Sequence, residues 1–200
     1  MTTTEPAAPY PASFSLDAPT TMARWRPLVQ WILAIPHLII AGVLGSVSEA
    51  LAFISWFAIL FTGKLPAGLA EFQAMTQRYS MRTFAYSGFL YEDYPPFDFT
   101  STSAEPGGSP VSLAFEPELE DRNRLTVAFR IILAIPAIFV AMILFIAAWF
   151  VWLAGFFAIL FTGSWPAGMR TFIQRVLRFG VQVSAYMLLL TDRYPPLALD

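Results

Sequence analysis

One constraint dominates this chain: it contains the same sequence twice. Residues 31–97 align with residues 131–197 at a constant offset of 100 and without a gap, with 25 identities in 67 positions. The identities cluster. Ile32-Leu33-Ala34-Ile35-Pro36 recurs as Ile132-Leu133-Ala134-Ile135-Pro136, and Phe57-Ala58-Ile59-Leu60-Phe61-Thr62-Gly63 recurs as Phe157 to Gly163. Pro66-Ala67-Gly68, Ala85-Tyr86 and Tyr94-Pro95-Pro96 recur in the same way. A repeated unit limits the architecture to two equivalent bodies, and a feature found in only one copy is not the shared mechanism.

The second constraint is apolarity. The chain is 56% hydrophobic, 16% aromatic and 13% charged, with a mean hydropathy of +0.58, outside the range of ordinary soluble domains. Two apolar runs, Leu28–Phe61 and Leu125–Phe161, each exceed the ~20 residues that span a bilayer. We therefore expect a mainly α, integral membrane protein of the bacterial plasma membrane. Met1–Thr20 is polar and Pro-rich and carries no basic residue, so it does not read as a signal peptide. Cysteine is absent, which excludes disulfides and thiolate chemistry.

Each run is too long for one perpendicular crossing, at about 50 Å as a single helix. In copy one the polar interruption Gly45-Ser46-Val47-Ser48-Glu49 predicts a turn. Gly45 would close one helix, and Ser46 and Glu49 have capping-box spacing for the next. A hairpin also spares Glu49 a mid-membrane position costing about 2.5–3.5 kcal/mol. Copy two has Phe145-Ile146-Ala147-Ala148-Trp149 there, so its hairpin is expected by symmetry alone. Hairpins would leave all twelve Lys and Arg residues on one side, placing both termini in the cytoplasm. Pro36 and Pro136 predict kinks.

Gly63 and Gly163 stop these helices, and Pro66 and Pro166 start a third one in each copy. It runs to about Tyr91 and Thr191. Arg170, Gln174, Arg178 and Gln182, joined by Arg175, form a polar stripe; copy one has Arg78 and Arg82. An apolar face backed by a basic one describes an interfacial helix. Arg78, Arg82, Arg170, Arg175 and Arg178 are accordingly the candidate lipid-headgroup ligands. An amphipathic helix packed on its own hairpin is the competing reading. Alternating residues predict strands at Ser13–Asp17, Phe97–Thr100, Val111–Phe115 and Leu197–Leu199, enough for a small cytoplasmic sheet of four. The expected divisions are a polar segment at 1–21, membrane repeats at 22–99 and 111–200, and a Ser/Gly/Pro linker at 100–110. Residues 92–121 hold eight acidic and no basic residues before Arg122. A solvated linker is the default reading, and pairing with the basic helix faces the alternative.

The strings Leu33-Ala34-Ile35-Pro36-His37, Trp56-Phe57-Ala58-Ile59-Leu60-Phe61-Thr62-Gly63, and Ala185-Tyr186 followed by Leu190-Thr191-Asp192-Arg193-Tyr194-Pro195-Pro196 resemble a family of bacterial membrane proteins, domain of unknown function 4389. The resemblance covers almost the whole chain and implies two tandem copies. It implies no activity. Copy one departs at Leu90-Tyr91-Glu92-Asp93, and copy two has Ala137 in place of His37.

No chemistry assembles from the remaining residues. His37 is the single histidine and reads as an interface-facing imidazole; Glu49 reads as a cap. No Gly-rich phosphate loop precedes a Lys, and the basic stripes, backed by lipid-compatible faces, do not read as a nucleic-acid site. The expected function is a non-enzymatic scaffold, regulator or bilayer-shaping protein without cofactor or metal. Its partners would be the bilayer, anionic lipids, and a membrane protein or a second copy of itself. Duplicated halves also raise a transporter or channel. Against that stand a repeat read as parallel and the scarcity of intramembrane charges. A lipid-modifying enzyme is the third class.

Overall fold

A computed structural model describes residues 9–199. The elements run β1 (Ala12–Leu16), α1 (Arg26–Leu33), α2 (Ile35–Thr62), α3 (Ala67–Ser87), β2 (Val111–Phe115), α4 (Arg124–Ala128), α5 (Arg130–Thr162) and α6 (Ala167–Met187). The polar segment expected at 1–21 thus contains β1, and its first eight residues lie outside the described ones.

The apolar runs do not fold back on themselves. α2 passes through Gly45–Glu49 as one 28-residue helix, and α5 is one helix of 33 residues. Physically, a mid-helix Gly costs only about 1 kcal/mol against Ala. Ser46 satisfies its hydroxyl on the Gly42 carbonyl at 3.1 Å instead of capping a new helix. The hairpin lies one element later: α2 packs on α3, and α5 on α6. Gly63 and Gly163 terminate the long helices in the left-handed conformation, φ 75° and 74°, as C-capping glycines do. Only the first proline coincides with a break. α1 ends at Leu33 and Pro36 sits in the first turn of α2, whereas α5 runs straight through Pro136 and the break falls at Phe129. α3 and α6 close with Phe89 and Leu189 at positive φ, and the Leu90 and Leu190 N–H groups reach back to the Ala85 and Ala185 carbonyls.

The two copies run antiparallel. The Met22 N–H donates to the Gly163 carbonyl, and the Trp165 N–H to that of Thr20. Reciprocally, Arg122 N–H donates to Gly63 and Leu65 N–H to Leu119. Each long helix therefore begins where the other ends, and a pseudo-twofold axis crosses both. These bonds fix the long helices of the two copies as antiparallel to each other.

Two of the four expected strands form. β1 and β2 pair antiparallel with Phe14 opposite Leu113; 97–100 and 197–199 are not strands. In place of a strand, Phe97 and Phe99 stack on His37 and Tyr79. β1 packs on α6 and β2 on α3, with neither strand on α2 or α5. The molecule is thus layered: a sheet with the acidic loop, then α3 and α6, then α2 and α5. The core runs through all three layers, from Phe14 and Leu113 in the sheet through Tyr86 and Val176 to Ile59 and Ile159 of the long helices.

Candidate functional site

The basic helix faces are mostly occupied internally. Arg78 and Arg82 are each 2% exposed. Arg82 pairs with Asp98 at 3.2 Å and Glu105 at 2.5 Å, and Arg78 reaches Glu105 at 3.5 Å. Arg78 also donates to the Thr102 and Ala104 carbonyls, at 2.9 and 2.8 Å. Glu105 accepts from Leu113 N–H at 2.6 Å, tying the loop to β2. Burial pushes the Arg78 pKa down, and Glu105 pushes it back. Asp98 is held below the usual carboxylate range by hydrogen bonds from Thr100 and by Arg82. Acidic residues of the linker therefore pair with the helix face, the alternative reading of that segment. Arg170 is also buried, donating to the Ala18 and Leu90 carbonyls at 2.7 and 3.2 Å. This burial corrects a headgroup role for Arg78, Arg82 and Arg170, because their guanidinium groups are turned into the fold and not toward a lipid surface. Arg175 and Arg178 are exposed on α6.

A second cluster was invisible in the aligned window. Gln30 donates to the Tyr86 and Tyr91 carbonyls, both at 2.7 Å. At the equivalent place Arg130 donates to Tyr186 and Thr191, at 3.3 and 2.8 Å, and lies over the Tyr186 ring. Both side chains satisfy orphan carbonyls at the end of a third helix. Asp192 pairs with Arg130 and with Arg122, and accepts from Asn123 N–H at 2.9 Å. Glu92 does the same for Ala23 N–H at 2.5 Å. Burial raises Asp192, but these partners outweigh it and leave its pKa below the ordinary value.

Two exposed residues complete the symmetry. The Arg24 side chain lies against Gly163 and that of Arg124 against Gly63. Each places a cation at the C-terminus of the other copy's long helix, where the helix dipole favours one. The offset of 100 relates them, although they lie outside the aligned window.

His37 is not at an interface. It is fully buried, with Nδ1 2.7 Å from the Tyr79 hydroxyl and its ring stacked on Phe97 at 4.2 Å. Burial pushes Tyr79 up to about 12, so its hydroxyl stays protonated. Among the described residues no group of three or more His, Asp or Glu is placed to hold a metal.

The outer layer carries the largest surface feature. α2 has one charged residue, Glu49, and α5 has one, Arg130 at its first position. Their free faces expose Ile39, Val43, Phe53, Phe61, Phe139, Phe150 and Phe161 among others, whereas α3 and α6 expose only Phe84 and Met169 as large apolar side chains. Both helices are long and apolar enough to cross a membrane. Between them a groove of about 910 Å³ opens on the pseudo-twofold axis, floored by α3 and α6. Equivalent positions line it from both copies: Ala41 and Ala141, Gln77 and Leu177, Ser80 and Gly180. A neighbouring pocket of about 440 Å³, which shares Phe84, Phe145 and Leu177 with the groove, is lined by Trp149, Trp152 and Ile173.

The profile of a domain of unknown function, DUF4389, matches residues 24–98 and again 124–198. No curated protein and no solved structure matches the chain.

Proposed function

Since the chain belongs to the DUF4389 family, in two tandem copies, we propose a role that both copies share: a non-enzymatic, bilayer-shaping membrane protein whose α2 and α5 lie in the plasma membrane of a bacterial cell. The observation that supports it is the division of the surface into an apolar outer layer and a polar opposite one. We place α2 and α5 along one leaflet rather than across the bilayer. The exposed Arg175 and Arg178 lie midway along α6, and the exposed Ser13 and Ser15 lie on the sheet outside it. A perpendicular crossing would carry this whole layer to mid-depth, at about 2.5–3.5 kcal/mol per charge on insertion scales. In-plane seating leaves it in water and buries the apolar faces. Two helices of about 42 and 50 Å wedged into one leaflet would expand that leaflet and bend the membrane. Arg24 and Arg124, at the rim where helix ends meet water, are the headgroup contacts in this reading, each worth about 1 kcal/mol near anionic lipid. The basic residues then share one side, which positive-inside assigns to the cytoplasm together with both chain ends.

The absence of cysteine makes the test clean. Lys64 and Ser164 follow the ends of α2 and α5, at opposite ends of the molecule. Single-cysteine variants Lys64→Cys and Ser164→Cys should both react with an impermeant maleimide from the same membrane face. Labelling from opposite faces would sink the in-plane reading. It would favour a second one, raised by the antiparallel copies: an inverted repeat that crosses the bilayer, as in many transporters.

A further inference from the structure

The groove on the pseudo-twofold axis is symmetric in backbone and asymmetric in chemistry. The copy-one half presents Ser46, Glu49, Gln77 and Ser80. At the same offsets copy two has Ile146, Trp149, Leu177 and Gly180. Because the copies run antiparallel, Glu49 and Trp149 fall toward opposite ends, Glu49 in the groove and Trp149 in a neighbouring pocket that shares Phe84, Phe145 and Leu177 with it. The apolar lining of that pocket includes Phe145, Ala148, Trp149, Trp152, Ile173 and Val176. The substitutions reach beneath the lining as well. Ser48, Gln73 and Thr76 are buried with side-chain polar atoms that have no hydrogen-bond partner among the described residues. They stand where copy two has Ala148, Ile173 and Val176. A duplicated groove has thereby acquired a polar end and an apolar end.

We propose that this groove holds one membrane lipid with an amine-bearing headgroup, the ammonium at Glu49 and an acyl chain running toward Trp149 and Ile173. The assignment rests on the seating of α2 and α5 in the bilayer, which turns the groove mouth toward lipid. Charge selects the head. Glu49 is the single charge along the groove wall, is exposed to it, and makes no ion pair among the described residues. A carboxylate in apolar surroundings is stabilised by a cation and repels an anionic headgroup. Gln77 and the Ser80 hydroxyl supply further donors and acceptors beside it, and Ser46, whose proton goes to Gly42, a further acceptor. The groove volume of about 910 Å³ is in the range that takes a chain-sized ligand.

Native mass spectrometry of the full chain in mild detergent tests this with phosphatidylethanolamine and phosphatidylglycerol as probes. The expected result is one lipid per chain, with phosphatidylethanolamine preferred about tenfold, the worth of one hydrogen bond to a charged group. Glu49→Gln should bring the preference close to unity while a lipid still binds. Glu49→Trp, which installs the copy-two residue, should do the same. Gly45→Leu should abolish binding of both lipids, because a Cβ there points into open space in the groove. Equal affinity for the two lipids in the wild type, an unchanged preference in both Glu49 variants, or undiminished binding in Gly45→Leu would overturn the proposal. Membrane fractionation separates the two readings. A wild-type chain absent from the membrane overturns seating and groove together, and a seated chain without lipid overturns the groove alone.

Discussion

Gly155→Ala is the most informative single perturbation. In α5 a Cβ at Gly155 would fall 2.0, 2.2 and 2.9 Å from three ring atoms of Trp165. The indole cannot step aside cheaply. Trp165 is 3% exposed, its ring N–H donates to the Phe89 carbonyl at 2.6 Å, and its backbone N–H is held by Thr20 at 2.9 Å. Overpacking of this kind costs about 1–3 kcal/mol, and stranding a buried carbonyl adds about 1–3 kcal/mol. The helix-propensity gain of Gly→Ala returns up to about 1 kcal/mol. The net expectation is a loss of about 2–4 kcal/mol. Copy one shows the compensated solution, with Ser55 facing the smaller Leu65 at the same two offsets. Trp165→Leu alone opens a cavity and should cost about 2–4 kcal/mol. The double variant Gly155→Ala/Trp165→Leu should cost at least about 1 kcal/mol less than the sum of the singles, a coupling normal for residues in contact. Denaturant unfolding in detergent micelles, followed by far-UV circular dichroism, reads all four proteins. If Gly155→Ala unfolds with the wild type, or the cycle closes additively, the packing argument is wrong.

Three further outcomes are expected. Arg82→Met removes the arginine partner of Asp98 and leaves Glu105 with Arg78 alone, and should cost about 3 kcal/mol, whereas Arg175→Gln on the exposed face should move stability by less than about 0.5 kcal/mol; unfolding midpoints compare them. Gly163→Ala should be more harmful than Gly63→Ala, by thermal melting, because its Cβ meets the Met22 backbone carbonyl at 3.2 Å and the other meets only the flexible Arg124 head at 3.3 Å. Asp98 and Asp192 both have folded pKa values below the ordinary carboxylate value, so their contribution is complete above that value and is lost as pH falls through the folded ones. An acid titration should therefore show stability dropping below about pH 4, and Asp192→Asn should flatten that drop while lowering stability at neutral pH.

The sequence carried the repeat, its element order and the ends of the long helices, because Gly63, Gly163 and the prolines act locally. β2 was legible to the residue for the same reason. The turn at Gly45–Glu49 was misplaced because its signals are only preferences: one glycine and one back-bonded serine do not break a 28-residue apolar helix. The basic stripes misled for another reason. Periodicity finds a polar face on a helix but cannot tell whether water or Asp98 and Glu105 will meet it. Arg24, Arg124, Gln30 and Arg130 escaped because their roles depend on the antiparallel docking of the copies, and no pairwise comparison of the halves encodes orientation. Glu49 was set aside because copy two lacks it, yet that asymmetry distinguishes one end of the groove from the other.

The reciprocal clasp of the two copies has a consequence in time. Thr20 and Met22 are made early, but the Gly163 and Trp165 groups that complete their hydrogen bonds leave the ribosome some 145 residues later. At about 5–20 residues per second, copy one waits roughly 7–30 s for them. For much of that interval α2 already presents its full apolar length, and the edge of β1 stays unpaired until β2 is made. On the in-plane reading proposed above, the first half of this chain meets a lipid surface before its fold is finished, and the second half joins a partner already seated there.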